Sequence, residues 1–189
     1  MNDIAETIQE PLENAGNNRI NSLVALFVAI SATFMAICNV KDGNIVQAMS
    51  QAQAHSIDAW SYYQAKSTKQ ATAEDVLELV RLQKAPGSDS LIKKYEIQIA
   101  RYEKEKSEIK KQAEGFQQEY EDINLFDDQF DMTEALLTIS IAMFGISSLT
   151  QKKWLLYFAA SVSLLGVIFG LTAFFKISLH SDLVSKILG

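Results

Sequence analysis

Apolar residues crowd the two ends of the chain and thin out in the middle. Between Arg19 and Lys41 lie 21 residues without a charge, between Glu134 and Lys152 lie 17, and between Lys153 and Lys176 lie 22. A helix rises about 1.5 Å per residue, so roughly 20 apolar residues cross a hydrocarbon core of about 30 Å. The pattern predicts three transmembrane helices, at 20–40, 132–150 and 154–175. A buried helix of a soluble bundle is the competing explanation, and it suits a lone run of about a dozen apolar residues. It suits LLYFAASVSLLGVIFGLTAFF poorly, because that run is apolar all round.

The stretch between the first two spans follows another rule. Positions 92, 95, 99, 102, 106, 109, 113, 116, 120 and 123 read Ile, Tyr, Ile, Tyr, Lys, Ile, Ala, Phe, Tyr, Ile. The alternation of three and four is a heptad seam, and only Lys106 interrupts it. Upstream, the same count from Ile45 gives Met49, Ala52, Ser56, Ala59, Tyr63, Lys66, Gln70, Ala73, Leu77 and Val80, a weaker seam of smaller residues. Pro86-Gly87 stands between the two seams, and Ser88 and Asp89 follow it as helix-capping residue types. Folding there sets residue i near residue 173 − i, so small side chains of one arm face large ones of the other. The prediction is all-α: three transmembrane helices with a long antiparallel coiled-coil hairpin at 41–131 between the first and second, turning at 86–87. An acidic leader covers 1–19 and a tail covers 176–189. Flanking pairs Arg101–Glu105, Lys104–Glu108 and Lys110–Glu114 have the spacing that supports a solvated helix.

Charge refines this picture. Segment 43–131 carries 11 basic and 16 acidic residues, a balance that argues against nucleic acid as a partner. The leader has Asp3, Glu6, Glu10 and Glu13 against Arg19 alone, unlike the basic start of a secretory signal, so the first span reads as an uncleaved anchor. Near the span ends, Arg19, Lys152 and Lys153 oppose Lys41, Lys176 and Lys186. The short turn with two lysines weighs most, which places the hairpin outside the cytoplasm, on the periplasmic side of a bacterial inner membrane. The lone Cys38 excludes an internal disulfide and reads as a small apolar residue.

No catalytic, cofactor-binding or metal-binding constellation stands out. His55 and His180 lie in different segments without companion ligands, and neither a phosphate-cradling glycine loop nor a nucleophile elbow is present. Two polar clusters remain. In WSYYQAKSTK, Trp60, Tyr62, Tyr63, Lys66 and Lys69 crowd together about 20 residues beyond the first span, too far from lipid for an interfacial belt. Packing against the second arm or another subunit is the plainer explanation; a docking patch for a protein partner is the functional one. Asp127, Asp128, Asp131 and Glu134 stand at the mouth of the second span. Asp131-x-x-Glu134 resembles a capping pair, and acids favour a helix N-terminus. Ringed by other subunits, the same carboxylates would form an acidic vestibule that concentrates cations. Small residues Ala159, Ser163, Gly166 and Gly170 in the third span, and Thr138, Ala142 and Gly145 in the second, read as the interface of that terminal pair or as a subunit contact.

W-S-Y-Y-Q-A-K-S-T-K resembles the signature of an uncharacterised family of bacterial membrane proteins, the domain-of-unknown-function family 4337. FDMTEALLTISIAMFGISSLTQKKW is similar to that family's acidic entry into span two and basic turn before span three. The resemblance covers about residues 20–175 and implies a shared architecture without an established activity. Together these features point to a multi-pass protein of the lipid bilayer, not an enzyme and without cofactors. It is expected to form homo-oligomers and to act as a scaffold or interaction module through its hairpin. The alternative is a subunit of a cation-permeable channel; a sensor ranks third.

Overall fold

A computed structural model describes the backbone of residues 2–83 and 85–177 and the side chains of residues 19–83 and 85–177. The leader's side chains up to residue 18, and residues 178–189 of the tail with His180, lie outside the described residues. Among the described residues the chain is all-helical: α1 covers Asn2–Gln83, α2 covers Asp89–Thr150 and α3 covers Lys153–Phe174. All three are long and apolar enough over part of their length to cross a membrane. Neither α1 nor α2 breaks at a boundary between apolar and polar sequence. The contacts divide the chain into one unit of residues 1–46 and 124–189 and another of residues 47–123.

In the unit of residues 47–123, Ala85-Pro86-Gly87-Ser88 closes a tight turn through the Ser88 N–H to the Ala85 carbonyl, 3.2 Å. Proline presets the second position, and the third needs a positive φ that only glycine adopts freely; Gly87 stands at +85°. The Ile92 N–H then reaches the Ser88 carbonyl at 2.9 Å and starts α2. Every residue of the two predicted seams is buried or half-buried. Ser56 Oγ donates to the Ala113 carbonyl at 3.4 Å, His55 packs on Phe116 with ring centroids 5.2 Å apart, and Arg81 pairs with Glu96 at 2.5 Å. As one partner's number rises the other's falls. These contacts sit two to four residues from the 173 − i register, within about one helical turn. Arg101–Glu105, Lys104–Glu108 and Lys110–Glu114 form at 3.0, 4.0 and 3.7 Å, as their spacing predicts.

The other unit gathers the apolar parts of all three helices. Ile20, Val24, Phe144, Leu156 and Ala159 make one buried cluster, and Cys38, Phe130 and Ala173 make another, with Phe34, Ile45 and Phe174 packed against it. In this part of α2 the buried positions Phe130, Thr133, Leu137, Ser140, Phe144 and Ser147 again fall three and four apart, and Gln129 is buried beside them. Along α3 they include Ala159, Ser163, Gly166, Gly170 and Ala173. Small residues let these helices approach closely. A Cβ on Gly166 would stand 3.1 Å from Leu136 Cβ, and one on Gly170 only 2.7 Å from the Phe34 ring. Ser31 and Ser163 share a buried hydrogen bond of 2.9 Å between α1 and α3.

The small residues of span three thus form the interface within the chain. Those of α2 contribute little: Thr138, Ala142 and Gly145 are exposed, Thr138 Oγ1 donates to Met35 Sδ of α1 at 3.7 Å, and nothing lies within 4 Å of where a Gly145 Cβ would be. A heptad offers one face to its neighbours, and in α2 the larger residues Phe130, Leu137 and Phe144 occupy it. The turn from α2 to α3 puts Gln151 at φ +57° and ties it to α1, because Gln151 Nε2 and Ser148 Oγ each donate to Asn21 Oδ1 at 2.9 Å.

Candidate functional site

The aromatic and basic cluster of α1 belongs to the unit of residues 47–123. Successive helical residues turn by about 100°, so Trp60 and Tyr62 point to opposite edges and Tyr63 stands between them on the seam. Trp60 meets Tyr63 edge to face, with centroids 5.6 Å apart and planes at 77°. Lys66 is buried and forms an ion pair with Glu105 of α2. Its Nζ also lies 5.2 Å from the Tyr62 ring centroid and 5.4 Å from that of Tyr102. Hydrogen bonds to Glu105 and then Tyr62 hold its ammonium above the usual lysine range, against the smaller opposing effect of burial. The hydrogen bond from Lys66 holds the Glu105 carboxyl below its usual range. Lys106, the one break in the downstream seam, places its Nζ 5.2 Å from the Tyr63 ring centroid.

The cluster therefore has an inner and an outer part. Tyr63 and Lys66 serve contact between the two helical stretches, by cation–π and charge-assisted hydrogen bonding. Tyr62 and Lys69 remain exposed, and Trp60 is half-buried. Lys69 lines a groove of about 360 Å³ together with Thr68, Thr72, Val76, Tyr95 and Tyr102. The sequence offers Tyr102 as a seam position and Glu105 as the i+4 partner of Arg101, but not either one as a partner of Lys66, although the signal exists. The 173 − i register places residue 107 opposite Lys66, half a turn from Glu105.

The acidic cluster belongs to the other unit. Residues 127–134 lie inside α2, which runs unbroken from Asp89 to Thr150. No helix begins near Asp131, so the capping explanation of Asp131 and Glu134 is overturned. An uninterrupted helix exposes no free N–H groups there for a carboxylate to satisfy. The four acids also separate by environment: Asp127 and Asp128 are half-buried, while Asp131 and Glu134 are exposed.

Asp127 has a partner that its sequence neighbourhood does not reveal. Asp42 of α1 lies within hydrogen-bonding reach of it. Each of the two buries its Oδ1 atom away from water with no N–H or O–H donor supplied by another residue. Burial raises the Asp127 carboxyl to about 6, helped by the charges of Asp42 and Asp131. Asp42 is raised by burial too, and Asp128 by burial and then Asp131. Among the described residues no ion pair reaches any of these acids, and no group of three or more His, Cys, Asp or Glu is arranged to hold a metal ion.

No curated protein and no solved structure matches the chain. A family model does, over residues 20–176, and by that match the chain belongs to the family described as a domain of unknown function, DUF4337.

Proposed function

We propose that the chain is a three-span integral membrane protein that works as an oligomeric scaffold or interaction module. Its arms at 47–83 and 89–123 would pair as an antiparallel coiled coil. The observation that carries this reading is where the apolar side chains point. In the segments 20–40, 132–150 and 154–175 the outward faces are predominantly apolar, with Leu149 87% exposed and Ile30, Ile146, Tyr157 and Leu164 also exposed. Water does not tolerate so contiguous an apolar surface, and lipid tails cover it at no cost. In residues 47–123, by contrast, polar outer faces carry scattered apolar residues, Ile57 at 59% and Tyr62 at 52% exposure among them. A bare two-helix unit buries little surface, which favours a second copy or a protein partner on those faces. The basic turn Lys152-Lys153 supports a periplasmic position for this unit in a bacterial inner membrane.

Trp60→Cys in native membranes tests the self-association. Oxidative crosslinking is expected to yield a covalent dimer, and a purely monomeric product removes that face from the interface.

A second reading, a subunit of a cation-permeable pore, is favoured by one observation. With capping excluded, Asp131 and Glu134 remain exposed carboxylates beside the second span. Conductance in planar bilayers, abolished by Asp131→Asn with Glu134→Gln, is the result this reading expects. A protein that forms oligomers but shows no conductance supports the scaffold instead.

A further inference from the structure

Asp42 and Asp127 present a problem that proton chemistry solves. Two carboxyls from different helices approach one another and bury one oxygen each, although an ionised carboxylate only accepts hydrogen bonds. Two such acceptors in contact repel, and each lost donor is costly to a buried polar atom. Lysine and arginine offer no relief, since neither Lys41 nor Lys176 forms an ion pair with them among the described residues. The helix backbone offers none either, because both residues sit inside continuous helices whose N–H groups are already used. The charges that act on the pair are those of other acids. Cys38 lies one turn before Asp42 on α1, and Asp128, Asp131 and Glu134 share this end of the α2 apolar segment. The buried cluster of Cys38, Phe130 and Ala173, with Phe34, Ile45 and Phe174 around it, occupies the adjoining turns.

We propose that Asp42 and Asp127 hold one proton between them, carboxylic acid to carboxylate, and that this shared proton makes the seating of α2 on α1 pH-sensitive. The Asp127 carboxyl donates and the Asp42 carboxylate accepts. Loss of the proton leaves two negative charges facing each other across the helix contact. The direction of the effect follows from linkage. A carboxyl raised in the folded chain holds its proton more tightly there than in the unfolded chain. The stabilisation is complete below the ordinary aspartate value of 3.8, is lost as pH rises through about 6, and stays absent above. This inference does not depend on oligomerisation or on a pore; it requires only the folded chain.

The test is a carboxyl-carbon NMR titration of the full chain, aspartate-labelled, in detergent micelles, with thermal unfolding followed over the same pH range. Asp42 and Asp127 are expected to titrate together, with a step near pH 6 that both resonances report, and the thermal midpoint should fall as pH rises through that step. Asp127→Asn supplies a permanent N–H donor to Asp42, so the thermal midpoint should lose its dependence on pH between 5 and 8. Asp42→Asn should return Asp127 toward an ordinary aspartate midpoint. Independent titration of both residues near pH 4 would overturn the proposal. So would an unchanged pH profile in Asp127→Asn, or a midpoint that moves with added sodium or calcium, which would assign the pair to a cation. Should a variant fail to fold, the wild-type titration decides alone.

Discussion

Gly170→Leu is expected to expel α3 from its seat on α1 and α2. A Cβ at this position would stand 2.7 Å from Phe34 Cε1, 2.9 Å from Phe34 Cζ and 3.0 Å from Thr133 Cγ2. The Phe34 ring is half-buried against the cluster of Cys38, Phe130 and Ala173, so it has little room to retreat. Overpacking of this kind costs about 1–3 kcal/mol and occasionally more. A four-carbon side chain wedged between two helices falls at the upper end. Alanine should cost less, because it adds only the Cβ and none of the three carbons beyond it. The control is Gly145→Leu, where nothing lies within 4 Å, and it should leave stability nearly unchanged in lipid. Thermal unfolding of the detergent-solubilised protein measures both. Equal effects at the two glycines would remove the close approach of α3 from the account.

Phe144→Ala is expected to be the most costly truncation in the same unit. Phe144 is fully buried and stacks on Phe27 with centroids 5.5 Å apart and planes at 4°. It packs with Ile20, Val24, Leu156 and Ala159, so all three helices contribute to its surroundings. Large-to-small changes at such sites cost about 3–5 kcal/mol in soluble cores, from lost contacts and the cavity left behind. In lipid the transfer part shrinks, because tails are as apolar as the protein interior, but the lost dispersion contacts remain. Phe158→Ala removes the same ring from a position 52% exposed and should have a much smaller effect. Chemical or thermal unfolding of the pair separates the contribution of packing from that of side-chain type.

Much of the fold could be read along the chain because its periodicities are long and uninterrupted. Three apolar runs announced three helices capable of crossing a membrane, and the structure contains them. The seams from Ile45 to Val80 and from Ile92 to Ile123 picked out the residues now buried or half-buried. Pro86-Gly87 announced its turn because one position there demands a positive φ. The candidate sites were less legible. Asp127 stands out in the sequence for its acidic neighbours, yet its partner is Asp42, 85 positions earlier in sequence and adjacent only once α1 and α2 pack. Local composition around Asp131 and Glu134 resembles a helix start, while the backbone runs straight through. Ala142 and Gly145 look like a contact between α2 and α3 on size alone, but helix rotation turns them outward.

Sequence alone determined the helical class, the three apolar segments, the position of the central turn and which face of each arm is buried. These follow from repeats of three and four residues and from local backbone chemistry, which act within one stretch of chain. Tertiary structure alone decided that Lys66 pairs with Glu105, that Gly170 meets Phe34, and that Asp42 meets Asp127. Each of these depends on the rotation and axial offset of one helix against another. A shift of a single residue turns a helix by about 100° and moves it about 1.5 Å, enough to replace every such partner while leaving the hydrophobic pattern unchanged.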